Sequence, residues 1–217
     1  MFLHKHPYPP FIHEHTTKLI VGTLPPPRFS QGEFKAGDVD FCYGSIDGQL
    51  WPILNTIFNL GLKFETTESA IQERKAFLNS RNIGVCDIVE LCYRDKIDAS
   101  DLGMQDVKLR DLVGYLKQYP RIDTLLFTGG NSKNGPEYLF RKHLKENNLS
   151  LKLISGEVPR IHQFLMDNRI IKTVSLTAPS GAANRAVGSM DLYKQLKQSN
   201  PKFTTFDFRV MQYSEFF

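Results

Sequence analysis

The sequence predicts an α/β fold in which a mostly parallel sheet lies between two layers of helices. Short apolar runs alternate with helical patterns along the chain, which is typical of βαβ units. Strand-like segments recur about every 25 to 60 residues, which leaves room for a helix between successive strands. No internal repeat or long linker interrupts the alternation. We therefore expect the 217 residues to form a single domain with an N-terminal arm at residues 1–16.

The strands are predicted from short apolar runs bounded by turn-forming residues. They are Lys18–Gly22, Ile83–Val89, Thr124–Thr128, Leu151–Ser155 and Ile171–Leu176, with Phe206–Met211 as a last strand at an edge.

The helices are predicted from apolar side chains that recur every three to four residues. In the first, Leu50, Ile53, Leu54 and Ile57 fall on one face, and Pro136 suits the first turn of a later helix. The predicted helices are Leu50–Leu60, Thr67–Asn79, Lys108–Tyr119, Pro136–Asn147, Val158–Asp167 and Ala186–Ser199.

Four loops follow the carboxyl ends of the predicted strands, where open α/β sheets bind their ligands. These loops are Thr23–Asp47, Glu90–Asp101, Gly129–Gly135 and Thr177–Arg185. The first contains three consecutive prolines, which fix φ and hold the loop in shape. It is followed by an aromatic, glycine-containing segment. The sequence therefore predicts a rigid pocket rim here, although an ordinary strand-to-helix connection explains the same pattern.

The composition argues against a membrane-spanning, secreted or disulfide-stabilised protein. Hydrophobic residues make up 41% of the chain, the mean hydropathy is -0.30, and no apolar run is long enough to span a bilayer. The N-terminus lacks the apolar core of a signal peptide, so we expect a cytoplasmic protein. The three cysteines include no CxxC pair, which argues against a disulfide framework or a zinc site. The net charge of +4 permits nucleic-acid binding without requiring it.

Several segments carry side chains suited to chemistry. Asp87 sits inside an apolar strand pattern, where a carboxylate must either be paired or face a polar pocket. The segment Thr177–Arg185 offers backbone donors, a serine and an arginine for a phosphate. Gly129–Gly130 could cradle an anion, but the loop is neither a P-loop nor a GxGxxG motif. Four N-terminal histidines could bind metal, but a proline-rich arm packed on the surface explains them better.

Five motifs in order resemble the uracil-DNA glycosylase superfamily, and most closely its DNA-deoxyinosine or hypoxanthine-DNA glycosylase branch. Gly22-Thr23-Leu24-Pro25 is similar to the first motif of that branch, G-[ST]-[FL]-P. The stretch Tyr43–Leu54 resembles its Y-G-H-P-x-N-x-F-W-x-I-L block. Ile83–Val89 is similar to its G-[IL]-x-D-V strand, and Leu125–Ser132 to its [FL]-T-G strand end. Pro179–Arg185 resembles the second motif, N-P-S-G-L-[NS]-R.

The resemblance implies a four- to five-stranded, mostly parallel sheet in an α/β/α sandwich, with DNA crossing the strand ends. Such enzymes flip a damaged base and hydrolyse its N-glycosidic bond as monomers, without metal or cofactor and without a membrane. It implies one set of residues that bind the base and another that binds DNA. The base-binding residues would be Tyr43, Phe41, Asp87, Thr23 and Asn131; the DNA-binding residues would be Pro25, Ser180, Gly181, Asn184 and Arg185.

The same stretch departs from the family pattern at the catalytic position. Gly48 stands where the branch has a water-positioning asparagine, and Leu24 where the mismatch-specific branch has one. Asp47 is the predicted replacement as catalytic residue, and Asp40 is the second choice. The predicted function is therefore excision of uracil or hypoxanthine from DNA. The alternatives are a catalytically inactive relative that binds nucleic acid, a nucleobase or a nucleotide, and a phosphate-handling hydrolase that uses the Gly129–Lys133 and Ser180–Arg185 loops.

Overall fold

The structure is a computed structural model that describes all 217 residues. Its strands are β1 Phe2–Lys5, β2 Lys18–Val21, β3 Ile83–Val85, β4 Val89–Arg94, β5 Gln105–Leu109, β6 Thr124–Phe127, β7 Lys152–Ser155, β8 Arg160–Met166 and β9 Arg169–Ser175. Its helices are α1 Pro27–Ser30, α2 Leu50–Phe58, α3 Glu68–Ser80, α4 Leu112–Gln118, α5 Pro136–Glu146, α6 Asn184–Ser189, α7 Asp191–Ser199 and α8 Thr205–Ser214.

A six-stranded sheet forms the centre of the molecule, in the order β3-β2-β6-β9-β8-β7. The strands β3, β2, β6 and β9 run parallel to one another, whereas β8 and β7 are added antiparallel. The predicted fold class is confirmed, but the sheet has one or two more strands than expected. The carboxyl ends of these parallel strands lie at one edge of the sheet, and the loops that follow them carry the candidate site residues.

Strand β8 replaces the predicted helix Val158–Asp167, which was wrong. The strand pairs with β9 along its whole length through a tight turn at Asp167 and Asn168. Both turn residues have positive φ, 49° and 62°, which is the conformation that a two-residue hairpin requires. Pairing across this turn overrides the helix-like spacing of the apolar residues.

Helix α8 replaces the predicted edge strand Phe206–Met211, which was also wrong. Thr204 accepts a hydrogen bond from the Asp207 amide, and the Asp207 side chain accepts one from the Thr204 amide. This reciprocal capping box fixes the first turn of a helix. The same helix supplies the buried Arg209, which donates hydrogen bonds to the loop after β9.

Three further segments differ in detail. The predicted strand Ile83–Val89 is broken after Val85, and β4 starts at Val89. The predicted helix Lys108–Tyr119 begins only at Leu112, because its first residues lie in β5. The predicted helix Ala186–Ser199 is interrupted at Met190, whose backbone is extended.

The first residues of the chain do not form an arm on the surface. Strand β1 pairs antiparallel with β4, which also pairs with β5, in a second, three-stranded sheet. His4 and His6 are 1% and 6% exposed. Arg94 donates from Nε to His4 Nδ1, and burial is the main cause that lowers the pKa of His4 to about 4. These histidines therefore belong to the interior.

Two hydrophobic clusters flank the central sheet. One packs α4 and α5 against one face, around Phe127 and Phe140; the other packs α2, α3 and α8 against the opposite face, around Trp51 and Tyr213. All three cysteines are buried and free. None of the helices has the length and apolar character needed to cross a membrane.

Candidate active site

A cavity of about 570 Å³ opens at the carboxyl ends of the parallel strands. Its lining comes from three of the four predicted loops and from the N-terminal segment. It consists of residues 22–26, 42–45, 47–50 and 178–182, together with His6, Tyr8, Asp87, Ala99, Asp101 and Thr128. The remaining predicted loop, Gly129–Gly135 after β6, lines a neighbouring cavity of about 430 Å³. The two cavities share Asp101, Thr128 and Ala178.

Asp87 is the centre of the cavity floor. Its Oδ1 accepts hydrogen bonds from the Gly22 amide and the Tyr43 hydroxyl, both at 2.8 Å, and its Oδ2 accepts one from His6 Nε2 at 2.9 Å. The Tyr8 amide donates to His6 Nδ1 at 3.1 Å, so the proton of that ring sits on Nε2. Burial raises the pKa of Asp87, but the hydrogen bonds outweigh it and hold the pKa below its ordinary value of 3.8.

Tyr43 is held in an unusual backbone conformation beside Asp87. Its φ is 59°, a region that non-glycine residues rarely adopt. Its hydroxyl bonds Asp87 and lies 3.1 Å from Thr128 Oγ1, and burial raises its pKa well above the ordinary value. A Cβ at Gly22 would lie 2.3 Å from this hydroxyl. Only glycine at position 22 therefore leaves room for the floor.

Asp101 forms part of the cavity wall. Its Oδ1 accepts a hydrogen bond of 2.7 Å from the Thr23 hydroxyl, and its Oδ2 has no hydrogen-bond partner in the protein. Burial raises the pKa of Asp101 above its ordinary value of 3.8. No arginine or lysine forms an ion pair with it. Asp101 is thus a carboxyl group that has one oxygen free and lies in a cavity.

Asp47 and Asp40, the predicted catalytic residues, lie at or beyond the rim. The Asp47 side chain is 64% exposed, and its Oδ2 lies 2.9 Å from Lys35 Nζ and 3.7 Å from Arg28 Nη2. Asp47 lines the cavity, whereas Asp40 does not; its Oδ1 accepts from the Tyr8 hydroxyl at 2.8 Å.

The loop after β9 closes the opposite side of the cavity. The Gln49 amide donates to the Pro179 carbonyl at 2.8 Å, and Gly48 and Ser180 form an isolated antiparallel bridge. The buried side chain of Arg209 donates to the carbonyls of Ala178 and Ser180, at 2.8 and 3.0 Å. The residues that follow the first predicted loop are therefore joined directly to the last one.

The structure brings together most of the residues predicted from sequence, but not all. Those that line the cavity are Thr23, Pro25, Tyr43, Asp47, Asp87, Ser180 and Gly181. Those that do not are Asp40, Phe41, Asn131, Asn184 and Arg185.

The residues outside the cavity differ in their surroundings. Phe41 packs in the core against Trp51, with ring centroids 6.3 Å apart. Asn184 Oδ1 accepts from Arg209 Nη1 at 2.9 Å, which ties this asparagine to α8. Asn131 and Arg185 are exposed.

Sequence reasoning missed His6, Tyr8, Thr128 and Asp101. His6 and Tyr8 reach the cavity only because β1 pairs with β4, and no local pattern signals that pairing. The sequence pattern around Asp101 indicates no more than a loop or cap residue, and its neighbour in space, Thr23, is 78 residues away in sequence. No group of three or more His, Cys, Asp or Glu side chains is arranged to hold a metal ion.

Comparison with known proteins gives a match to a solved structure. No family model matches the chain, and no curated protein matches it. A solution NMR structure from Methanosarcina acetivorans, provisionally described as a uracil DNA glycosylase, superposes with a TM-score of 0.54 at 17% sequence identity. The match covers 95% of this chain and 98% of the other. The chain therefore has a uracil-DNA-glycosylase-like fold, in agreement with the fold class predicted from its sequence.

Proposed function

We propose that the protein is a DNA glycosylase that excises a deaminated base, uracil or hypoxanthine, after flipping it into the cavity. The observation that carries this proposal is the cavity itself. It lies at the carboxyl ends of the parallel strands and gathers residues from three of the motif-bearing loops of a uracil-DNA-glycosylase-like fold. Its volume of about 570 Å³ is within the range of pockets that hold small ligands.

The floor is suited to holding a flipped base. Tyr43 lines the cavity, and its hydroxyl is fixed by Asp87, so its ring can offer a stable surface for stacking. Asp87 Oδ2 accepts only the bond from His6 and keeps capacity for a second donor. A ring N–H of uracil or hypoxanthine is such a donor. Extrusion of the base costs a few kcal/mol, which stacking and this hydrogen bond would offset.

The loop after β9 is suited to contact the DNA backbone. Ser180 and Gly181 line the cavity mouth, and the Arg185 side chain a turn later is exposed. An exposed arginine near backbone amides binds phosphate without reading sequence. Pro25 on the facing loop completes the opening.

A second candidate function is supported by the altered catalytic position. Leu24 and Gly48 stand where the glycosylase branches that this sequence resembles have an asparagine. Asp47 is paired with Lys35 at the rim. A carboxylate neutralised in this way is a poor group for orienting water. These observations favour a catalytically inactive relative that binds nucleic acid or a nucleobase.

The test is base release from oligonucleotides that carry uracil, hypoxanthine or xanthine, in single and double strands, followed by alkaline cleavage of abasic sites. We expect strand breaks with uracil or hypoxanthine and none with the unmodified oligonucleotide. No breaks with any substrate would exclude the glycosylase, and salt-dependent DNA binding without release would establish the inactive relative.

Two arginine variants test the DNA contact in the same samples. Arg185→Ala should lower the slope of log affinity against log salt by about 0.9, the value for one phosphate contact. Arg121→Ala is the matched control, because Arg121 is exposed and precedes β6, at the amino end of the sheet. An equal effect of both variants would exclude the loop after β9 as the DNA contact.

A further inference from the structure

We propose that Asp101, rather than Asp47, is the carboxylate that orients and deprotonates the attacking water. The proposal rests on the glycosylase function proposed above and names the residue that carries its hydrolytic step. It starts from the position of Asp101 in the wall of the cavity, beside the floor formed by Asp87 and Tyr43.

The free oxygen of Asp101 is the first argument. Thr23 occupies Oδ1 at 2.7 Å, which fixes the rotation of the carboxylate, and Oδ2 has no partner in the protein. A carboxylate oxygen without a protein donor in a cavity is able to accept a hydrogen bond from water. Thr23 lies two residues after the end of β2, so the carboxylate is aligned from the end of a central strand.

The surroundings of the other carboxylates are the second argument. Asp87 already accepts three hydrogen bonds, and Asp47 is exposed and paired with Lys35. Of these three, Asp101 is the one that lines the cavity with no cation within ion-pair distance and with one oxygen that accepts no hydrogen bond from the protein. It is therefore the carboxyl group of the three that is best placed to bind water inside the cavity.

The rigid support of Asp101 is the third argument. Arg94, with a side chain only 1% exposed, donates from Nη1 to the Ser100 carbonyl at 2.6 Å. Asn134 donates to the Asp101 carbonyl at 3.0 Å and to the Met104 carbonyl at 3.0 Å. Buried side chains thus hold the backbone on both sides of Asp101. Such support keeps a reacting group in place without further ordering cost during the reaction.

The step balances as a simple hydrolysis. The water oxygen bonds to C1′ of the deoxyribose, and the C1′–N bond breaks with its electron pair going to the base. One water proton passes to Asp101 and then to solvent, and the other remains on the new sugar hydroxyl. The departing base anion takes a proton from solvent. The products are an abasic site and the free base, and the carboxylate also stabilises the positive charge that develops on the sugar.

The experiment compares Asp101→Asn with Asp98→Asn in single-turnover base release from a uracil or hypoxanthine oligonucleotide. Asparagine still accepts the Thr23 hydrogen bond, so the variant removes the charge and leaves that contact in place. Asp98 lies on the same loop, 47% exposed and 3.6 Å from Arg94, and serves as the control. We expect a rate at least about 100-fold lower for Asp101→Asn, with unchanged DNA affinity and melting temperature, and a rate near wild type for Asp98→Asn.

The pH profile separates a catalytic from a structural role. Burial and Asp87 raise the pKa of Asp101, while Thr23 and the Arg94 guanidinium from β4 lower it. The wild-type rate should fall as pH drops through this raised pKa, and Asp101→Glu should keep that acid limb whereas Asp101→Asn should lose it.

The outcomes are distinguishable. A wild-type protein that releases no base overturns the proposed function and this assignment together. Base release by Asp101→Asn within threefold of wild type overturns the assignment and leaves the function standing. A loss of rate matched by an equal loss of DNA affinity also overturns it, because Asp101 would then act in binding.

Discussion

The floor and the wall of the cavity use the same kind of group in opposite ways. In the floor, Asp87 accepts three hydrogen bonds, and its pKa is lowered despite burial. In the wall, Asp101 accepts one, and burial raises its pKa. The two carboxyl groups line one cavity. The difference teaches that a carboxylate with protein donors on both oxygens fixes structure, whereas one with a donor on a single oxygen costs stability and stays available for chemistry.

The largest effect should come from removing the floor carboxylate. Asp87→Ala leaves the buried donors of His6 and Gly22 without a partner, and the Tyr43 hydroxyl keeps only Thr128. We expect the free energy of unfolding to fall by about 3–5 kcal/mol. Asp101→Ala, which removes a single hydrogen bond, should cost less than about 1 kcal/mol. Urea denaturation measures both values, and equal losses would remove the distinction between floor and wall.

The second largest effect should come from filling the space in the floor with an added methyl group, without changing its charge. Gly22→Ala places a Cβ 2.3 Å from the Tyr43 hydroxyl and 2.8 Å from Asp87 Oδ1, so the network must move apart. We expect a loss of about 1–3 kcal/mol in unfolding free energy, together with loss of any base release. Gly188→Ala is the matched control, because no atom lies within 4 Å of its added Cβ and Gly188 does not line the cavity. A stable, active Gly22→Ala protein would show that the floor tolerates expansion.

The pH dependence of stability should have opposite signs for the two carboxyl groups. The Asp87 pKa is lowered, so its contribution is present above pH 3.8 and is lost as pH falls through the folded-state pKa. The Asp101 pKa is raised, so stability falls as pH rises from 3.8 through its folded-state pKa.

Each contribution is at most about 1.4 kcal/mol per pH unit, for one proton. Relative to wild type, Asp87→Asn should flatten the loss of stability below pH 3.8, and Asp101→Asn should flatten the loss above it. Urea denaturation at a series of pH values measures both effects. If the two carboxyl groups changed the slope of unfolding free energy against pH with the same sign, the contrast between floor and wall would be wrong.

The smallest effect should come from the rim. Asp47→Asn breaks an ion pair with Lys35 in which both side chains are more than half exposed, 64% and 57%. Solvent screening keeps the expected change in unfolding free energy below about 1 kcal/mol. Base release should stay within threefold of wild type. A rate that collapses in Asp47→Asn but not in Asp101→Asn would restore Asp47 as the catalytic carboxylate.

The parallel core of the fold could be predicted because its signals are local. The strands that begin at Lys18 and Thr124, and the helix that begins at Leu50, are marked by apolar runs and a 3.6-residue period. The added strand β8 was missed because its apolar spacing also fits a helix. The turn at Asp167 and Asn168 is a local signal that would have indicated a hairpin. The Thr204–Asp207 capping box would likewise have indicated α8.

The cavity could be predicted only in outline. Motif order placed Thr23, Tyr43, Asp87 and Ser180 around one cavity, because strand ends in a parallel sheet meet at one edge. The pairings of those groups could not be predicted. The contact between His6 and Asp87 spans 81 residues and depends on β1 joining a separate sheet, which no residue pattern in the first segment encodes.

The cavity floor also has a consequence for folding kinetics. Its hydrogen bonds connect groups 65 residues apart between Gly22 and Asp87, 81 between His6 and Asp87, and 85 between Tyr43 and Thr128. Contacts so distant in sequence form slowly, since the intervening chain must lose its freedom before they are made. Gly22, Asp87 and Thr128 lie within two residues of the ends of β2, β3 and β6, so the floor is expected to close only when these strands, whose pairing is itself of long range, have come together. A chain with a closed floor has already assembled its central sheet, and substitutions in the floor should mainly accelerate unfolding.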